Sequence, residues 1–370
     1  MGIKVYYYLV AAVLAGGLLF PQKDKRRKTY VILMAALHAF VCGWRYMYLT
    51  GDLRKYAWDY YTIADKGWFS SEVFHGGRNF LFSWLQKAFS MVTDGNFQIF
   101  LIFIAVVTEL AVAVLIYRYS PRPWLSYLVW NCFGFYLFGF SAIKQALAMA
   151  LVMLAFTGIM EEKPKRFYAL TLLAGCVHAP ALVFLPARWI AKTCLNTRKL
   201  LLYAVFAGFV FLFRRQIVSF ISGFYYDETD FVTGSRLGLR FVMILALVVV
   251  GVLLRGMEGK SFNKLMNLMI IAAVLQIFSG FDNVFTRLTD YYFQFFILYL
   301  PMMLYPETDE VLPGAHIRHL TLTSRQRTAA MLCAVLISGF YYYRTNLSVK
   351  ISYAADNYLN YRFCWEVRDE

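Results

Sequence analysis

The feature that most constrains this chain is the recurrence of apolar stretches about as long as a bilayer is thick, most of them bordered by short basic runs. A helix needs roughly 20 apolar residues to cross a hydrocarbon core of about 30 Å. Only helices and closed barrels satisfy their backbone groups in that medium. Such stretches fall at approximately 4–20, 30–50, 97–117, 124–140, 142–160, 200–220, 238–254, 264–280, 289–305 and 328–343. The chain therefore reads as an all-α, polytopic integral membrane protein of about ten transmembrane helices, one transmembrane domain over 1–370. The composition agrees: 60% of the 370 residues are hydrophobic and 16% charged, which excludes an ordinary soluble catalytic domain.

The formal net charge of +15 raises the question of nucleic acid. The basic residues, however, sit in short runs between apolar segments rather than on one face, so they are read as topology, with no nucleic-acid partner. Lys23, Lys25, Arg26, Arg27 and Lys28 form the densest run, between the first two apolar stretches, and the positive-inside bias places that loop in the cytoplasm. The N-terminus then lies outside, and 4–20 is kept as a membrane helix because no small-x-small cleavage site precedes the basic run. The short loops assigned to the inner side are all basic, including Arg118 and Arg122, then Lys163, Lys165 and Arg166. Six cysteines are scattered without a CxxC pair or a histidine at ligand spacing, which argues against a zinc site or a disulfide framework.

Two segments decide the parity of this ladder. Within 79–92, Leu81, Trp84, Leu85, Ala88, Phe89 and Val92 form one helical stripe with Gln86 and Lys87 off it, an amphipathic helix in the outer interface within an outer loop at 51–95. Residues 167–193 must begin and end inside and carry His178-Ala179-Pro180 at their middle, so they read as a re-entrant helical hairpin; two short full crossings would leave the parity unchanged. Residues 344–370 are left as a short outer tail.

Charged residues at membrane depth are expensive and are usually paired or functional. On this ladder Arg45, Asp52, Lys144, Gln145, His178, Arg236, Arg240, Arg287 and Tyr291 share the outer level, where they are expected to face one outward-opening cavity. Each cation could instead snorkel to headgroups or pair with Asp52, Asp227, Asp230, Asp282 or Asp290, and His178 could be a packing residue. Taken together they form a cluster of one sign, on a rim that the positive-inside bias should deplete of cations. A diphosphate or other polyanion requires such a cluster. Arg214 and Arg215 read either as the end of a short helix or as cavity residues. Tyr56 and its aromatic neighbours in the outer loop could stack on sugar rings.

These residues carry a resemblance. Gly43-Trp44-Arg45, leading to Thr50-Gly51-Asp52 and Tyr56, resembles the Arg, Gly-Asp and Tyr motif of the EpsG family of bacterial polysaccharide polymerases. Phe140-Ser141-Ala142-Ile143-Lys144-Gln145-Ala146-Leu147-Ala148 is similar to that family's Asn-x-x-Arg-Gln-x-Leu-Ala segment, Val177-His178-Ala179-Pro180-Ala181-Leu182 to its His-x-Ser-Ala segment, and Arg287 with Tyr291 to its late Arg-x-x-x-Tyr. Lys144 stands where the family usually shows Arg, and it keeps the charge without the planar fork. The resemblance implies a Wzy-like activity: joining polyprenyl-diphosphate-linked oligosaccharide repeat units into O-antigen, capsule or exopolysaccharide on the outer side of the bacterial plasma membrane. A flippase and a chain-length regulator would be the working partners.

For that chemistry the diphosphate leaving group needs preformed cations, for which Arg45, Lys144, Arg236 and Arg287 are the candidates, with Tyr56, Gln145, Arg240 and Tyr291 as further substrate contacts. The incoming hydroxyl needs a base, either His178 or Asp52; the latter could instead orient Arg45. Without a DxD-like pair the reaction is expected to use no metal and no cofactor. A glycan ligase would share the donor chemistry, whereas a flippase would hold cations accessible from both sides.

Overall fold

The computed structural model describes residues 2–20, 24–74, 77–225, 238–255, 259–306, 320–347 and 358–366. Among these residues every regular element is helical, with one isolated bridge between Arg45 and Phe363. Contacts divide the chain into two compact units, Met1–Leu185 with Ala330–Glu370 and Pro186–Ala329.

The first unit runs through α1 (Lys4–Leu19), α2 (Asp24–Gly43), α3 (Gly51–Thr62), α4 (Ser71–Phe74), α5 (Phe80–Val92), α6 (Phe97–Tyr119), α7 (Pro123–Cys132), α8 (Ile143–Met160) and α9 (Pro164–Val177), with 3₁₀ helices at Tyr136–Phe140 and Ala179–Phe184. The Asn96 side chain caps α6 by accepting the Ile99 amide at 3.4 Å, and 23 apolar-rich residues follow before Ser120 ends the helix. α6 packs along α2, where a Cβ on Gly43 would already sit 3.3 Å from the Ile102 Cα. The α8–α9 hairpin is tighter still: a Cβ on Gly158 would lie 2.8 Å from the Phe167 backbone nitrogen, so only glycine lets the two helices meet there.

Among the described residues two helices, Phe97–Tyr119 and Ile143–Met160, are long and apolar enough to cross a membrane. The pair Thr197–Leu212 and Arg214–Phe220, bent by 67°, makes a third if it is one broken span. The expected count of about ten therefore reduces to two or three elements that meet both criteria. The reasons are local. Gly134 at φ +83° breaks the expected 124–140 crossing into α7 and a 3₁₀ turn. The 289–305 crossing breaks after Phe293. α1 stops at 16 residues, and α2 begins inside the basic run.

The loops that the ladder assigns to one side do gather at one end of this unit. The Arg27 guanidinium donates to the Tyr117 and Ser120 carbonyls at 2.8 and 2.7 Å, satisfying the last carbonyls of α6. Beside it Glu161 pairs with Arg118 at 2.6 Å and Lys163 at 2.8 Å. α5 spans Phe80–Val92 as expected, but its polar face turns inward: Ser83, Gln86, Lys87 and Ser90 are buried, while Met91 and Val92 are exposed. The cause is the end of α3, whose Ala64 carbonyl accepts from the Lys87 ammonium at 2.8 Å, while the Gln86 amide donates to the Tyr56 carbonyl at 3.0 Å.

The second unit holds α10 (Ala187–Lys192), α11 (Thr197–Leu212), α12 (Arg214–Tyr225), α13 (Leu239–Arg255), α14 (Lys260–Gln276), α15 (Asn283–Phe293) and α16 (Phe296–Leu304); α17 (Ser324–Tyr341) straddles the boundary. α14 is its central helix, packing against α10, α13, α15 and α16. Asn263 and Asn267, one turn apart on α14, both donate to the Thr193 carbonyl at 2.9 Å, tying the segment after α10 to α14. The 167–193 segment turns at His178 as expected. Its first arm is the 14-residue α9, and its second is a 3₁₀ helix followed by the six-residue α10.

Candidate functional site

The first unit brings three sequence-distant segments together at the end opposite Glu161. Arg45 falls just past α2 rather than inside it, and its guanidinium folds back to donate to the Cys42 carbonyl at the helix C-terminus. It is fully buried, with its charge 5.5 Å from the centre of the Phe140 ring, and among the described residues its Nε and Nη2 have no hydrogen-bond partner. The C-terminal segment covers this site. The Tyr46 amide donates to Arg362 and the Cys364 amide to Trp44, at 2.8 and 2.9 Å, so residues 358–366 are not a loose tail. Arg45 thus does not line an open cavity. Two buried guanidinium nitrogens without a partner are costly.

Phe140 also anchors the next segment. The Thr50 hydroxyl donates to the Phe140 carbonyl at 3.2 Å and caps α3 by accepting the Leu53 amide. Four residues beyond Phe140, the half-buried Lys144 opens α8 and places its ammonium 5.9 Å from the Tyr56 ring centre and 5.8 Å from that of Phe82. Asp59, one turn after Tyr56 on α3, is the carboxylate that acts on Lys144 electrostatically. Gln145 points away into the bundle, 2% exposed, with its amide 3.9 Å from the Met149 sulfur.

His178 enters through α5. Asn79, at φ +55° just before that helix, accepts the Ala179 amide at 2.7 Å, while the His178 carbonyl accepts the Ala181 amide at 2.9 Å and fixes the turn. The imidazole is half-buried on the turn that joins α9 to the 3₁₀ helix. Asp52, by contrast, is exposed in the first turn of α3. There a carboxylate stabilises the helix dipole, and among the described residues it forms no ion pair with Arg45. Further along α3, burial and the hydrogen bond with Tyr48 push the Tyr61 hydroxyl up to about 12.

In the second unit Arg240 pairs with the buried Asp290 and lies 4.9 Å from the Phe293 ring centre, so the pairing alternative is realised for this cation. Arg287, one turn before Asp290, is exposed and acts on the same carboxylate. Tyr291 shares α15 with Arg287 but is fully buried. Arg236 lies outside the described residues. Arg214 starts α12, its guanidinium on the Phe211 ring and carbonyl, which resolves it as a helix-break residue.

Sequence reasoning passed over Asp59, Asn79, His38 and Glu109. The last was legible as a lone carboxylate in the apolar 97–117 stretch. It is 2% exposed, its Oε1 accepting the Trp130 indole at 3.1 Å and its Oε2 without a partner among the described residues. His38, equally buried, donates from Nδ1 to Met34 at 2.6 Å and accepts at Nε2 from Asn131 at 2.9 Å, an arrangement of a neutral ring. Among the described residues no three His, Cys, Asp or Glu side chains group as a metal site.

A family model described as the EpsG family matches residues 28–363, which include all four segments that carry the resemblance. No curated protein and no solved structure matches.

Proposed function

The chain belongs to the EpsG family, whose members are membrane proteins of polysaccharide biosynthesis, and we propose that it is a polysaccharide polymerase. Its substrates are polyprenyl-diphosphate-linked oligosaccharide repeat units, joined at the outer face of the plasma membrane without a metal ion or cofactor. The observation that carries this reading is the meeting of the Arg45–Tyr56 and Phe140–Lys144 segments on Phe140 and on the Lys144–Tyr56 contact, with the His178 turn tied alongside through Asn79. A fold that only needed helices would have no use for assembling these residues at one end.

In the proposed reaction an acceptor sugar hydroxyl attacks the anomeric carbon of the donor. The bond from that carbon to the diphosphate oxygen breaks, and its electron pair leaves on the lipid-linked diphosphate. Lys144, half-buried over two aromatic faces, stabilises the growing negative charge more than the ground state. Arg45 lies behind the Phe140 ring and supplies a fixed positive field. The acceptor proton passes to His178, which is preferred to Asp52 because Asp52 already serves the start of α3. Diphosphate is a good leaving group and needs no protonated carboxylic acid.

The test is surface-polysaccharide length on gels from a deletion strain of the source organism. The strain is complemented with wild type, Lys144→Ala, Arg45→Ala and His178→Ala at matched membrane levels. A ladder that collapses to single lipid-linked repeat units supports the polymerase. Loss of outward-facing repeat units would instead mean a flippase, and long polymer retained on the lipid carrier a ligase.

A further inference from the structure

Tyr361 is packed against both of the segments that meet on Phe140 in the first unit. Its ring stands edge-to-face with Phe140 and with Tyr6, each at 6.2 Å, and with Phe363 at 5.1 Å. Its hydroxyl donates to the Val41 carbonyl in the last turn of α2 at 2.9 Å, and its own carbonyl accepts the Gly2 amide at 2.9 Å. Two residues on, Phe363 stands opposite Arg45 in the isolated antiparallel bridge. The backbone bonds from Tyr46 to Arg362 and from Cys364 to Trp44 flank that pair, the arrangement in which opposed side chains stand closest. Arg45 and Tyr361 are fully buried, and Phe363 is 9% exposed.

The guanidinium under this cover has the Cys42 carbonyl and sulfur on Nη1 and the Phe140 ring on one side. Among the described residues Nε and Nη2 meet no acceptor and Arg45 forms no ion pair. The carboxyl groups that act on its neighbours Cys42 and Tyr361 are Glu109 and Glu366, and they accept the Trp130 indole at 3.1 Å and the Phe363 amide at 2.9 Å. Water admitted here could satisfy both nitrogens. It would also weaken the charge, since a charge pair interacts about fourfold less strongly in bulk water than near a protein surface. The hydrogen bonds of residues 361–364 keep that water out. What they preserve is the reach of the Arg45 charge past Phe140 toward Lys144, four residues further along the chain.

We propose that Tyr361 is a positioning residue for repeat-unit transfer, closing residues 358–366 over Arg45 so that the buried charge acts unscreened on the diphosphate held at Lys144. The role in transfer rests on the polymerase reading; the closure rests on the contacts. The experiment uses the purified full-length chain in lipid nanodiscs as wild type, Tyr361→Ala, Tyr361→Phe, Arg45→Ala and the double variant Arg45→Ala with Tyr361→Ala. Thermal unfolding confirms that each is folded, and Phe363→Ala replaces Tyr361→Ala if that variant is not. Water access is read at Cys42, whose sulfur lies 3.4 Å from Arg45 Nη1. The readout is the rate at which an anionic, membrane-impermeant methanethiosulfonate modifies that thiol, followed by the mass of its peptide. Transfer is read in single turnovers with lipid-linked repeat units.

Tyr361→Ala should speed modification of Cys42 about tenfold and slow transfer about tenfold, part of the roughly 10²-fold lost when a preorganised electrostatic contact is removed outright. Tyr361→Phe keeps the ring and should match the wild type in both. In the Arg45→Ala background Tyr361→Ala should slow transfer no further, because it acts through that charge. Cys42 modified no faster in Tyr361→Ala would overturn the closure. An equal loss of transfer with and without Arg45 would overturn the positioning role, and both of these results leave the polymerase reading standing. A wild type that couples no repeat units would bring down both.

Discussion

The Asn79 side chain accepts the Ala179 amide at 2.7 Å, across one hundred residues of sequence, and so fixes the start of α5 against the turn that carries His178. Asn79 itself is in the left-handed region at φ +55°, which asparagine tolerates better than most residues. Asn79→Gly keeps that backbone and deletes the acceptor, leaving the amide unpaired. It should cost about 1–3 kcal/mol of stability and shorten the polysaccharide ladder. Asn79→Asp keeps an acceptor and should retain both. Thermal unfolding in detergent beside the gel assay checks this; equal behaviour of the two variants would remove the positioning role.

Lys144 offers a sharper separation, because its contacts to Tyr56 and Phe82 are ring faces that the charge uses but does not need for folding. Lys144→Met should remain folded and lose on the order of 10²-fold in repeat-unit transfer, the usual loss when one preorganised electrostatic contact is removed. Lys144→Arg, which restores the residue usual at this place in the family, should be active. Tyr56→Phe should change the rate little, since the ring face is retained. Single-turnover transfer with lipid-linked repeat units measures all three.

Glu109 and Trp130 form a pair buried between α6 and α7, and among the described residues the second carboxyl oxygen has no partner. Trp130→Phe removes the one donor that Glu109 Oε1 has, so it should destabilise the protein by about 1–3 kcal/mol, whereas Glu109→Gln keeps an acceptor for the indole and should be close to neutral. In a cycle of Trp130→Phe with Glu109→Leu, which removes the acceptor, additivity would refute the coupling, and a cost for the pair smaller than the sum supports it.

How much of this could be read beforehand depends on what kind of interaction sets each feature. α6 and α8 emerged within about two residues of their expected bounds, because uninterrupted apolar composition alone defines them. α5 was legible as a helix but not in its facing: the inward turn of Lys87 depends on where the Ile63 and Ala64 carbonyls end α3. Arg45, Lys144 and His178 could be singled out as polar residues at membrane depth. That two of them are joined through Phe140, and the third through Asn79, rests on contacts with backbone carbonyls, amides and ring faces, which leave no periodic trace. The covering of Arg45 by residues 358–366 is of the same kind, a pair of backbone hydrogen bonds with the Tyr361 hydroxyl donating to the Val41 carbonyl at 2.9 Å. Asp52 stands out by its neighbours in sequence, whereas the relation of Asp59 to Lys144 exists only once α3 meets α8.

The opposite end of the first unit gives a prediction in pH. Glu161 follows α8 in the loop to α9, and the hydrogen bond from Lys163, with Arg118 and Tyr119 beside it, holds its carboxyl below the ordinary carboxylate range. A carboxyl whose pKa is lower in the folded chain than in the unfolded one stabilises the fold where it is ionised. That contribution is complete above the unfolded value of about 4.3 and disappears as pH falls through the depressed folded value. The side chains are partly exposed, so Glu161→Gln should cost only about 0.2–1 kcal/mol at neutral pH. The gap between wild type and variant in thermal unfolding should stay level from neutral pH down to about 5, close progressively below that, and narrow in high salt. A gap that widens on acidification would contradict the pairing, because it would require the protonated carboxyl to be the form that holds α8 and α9 to the end of α6.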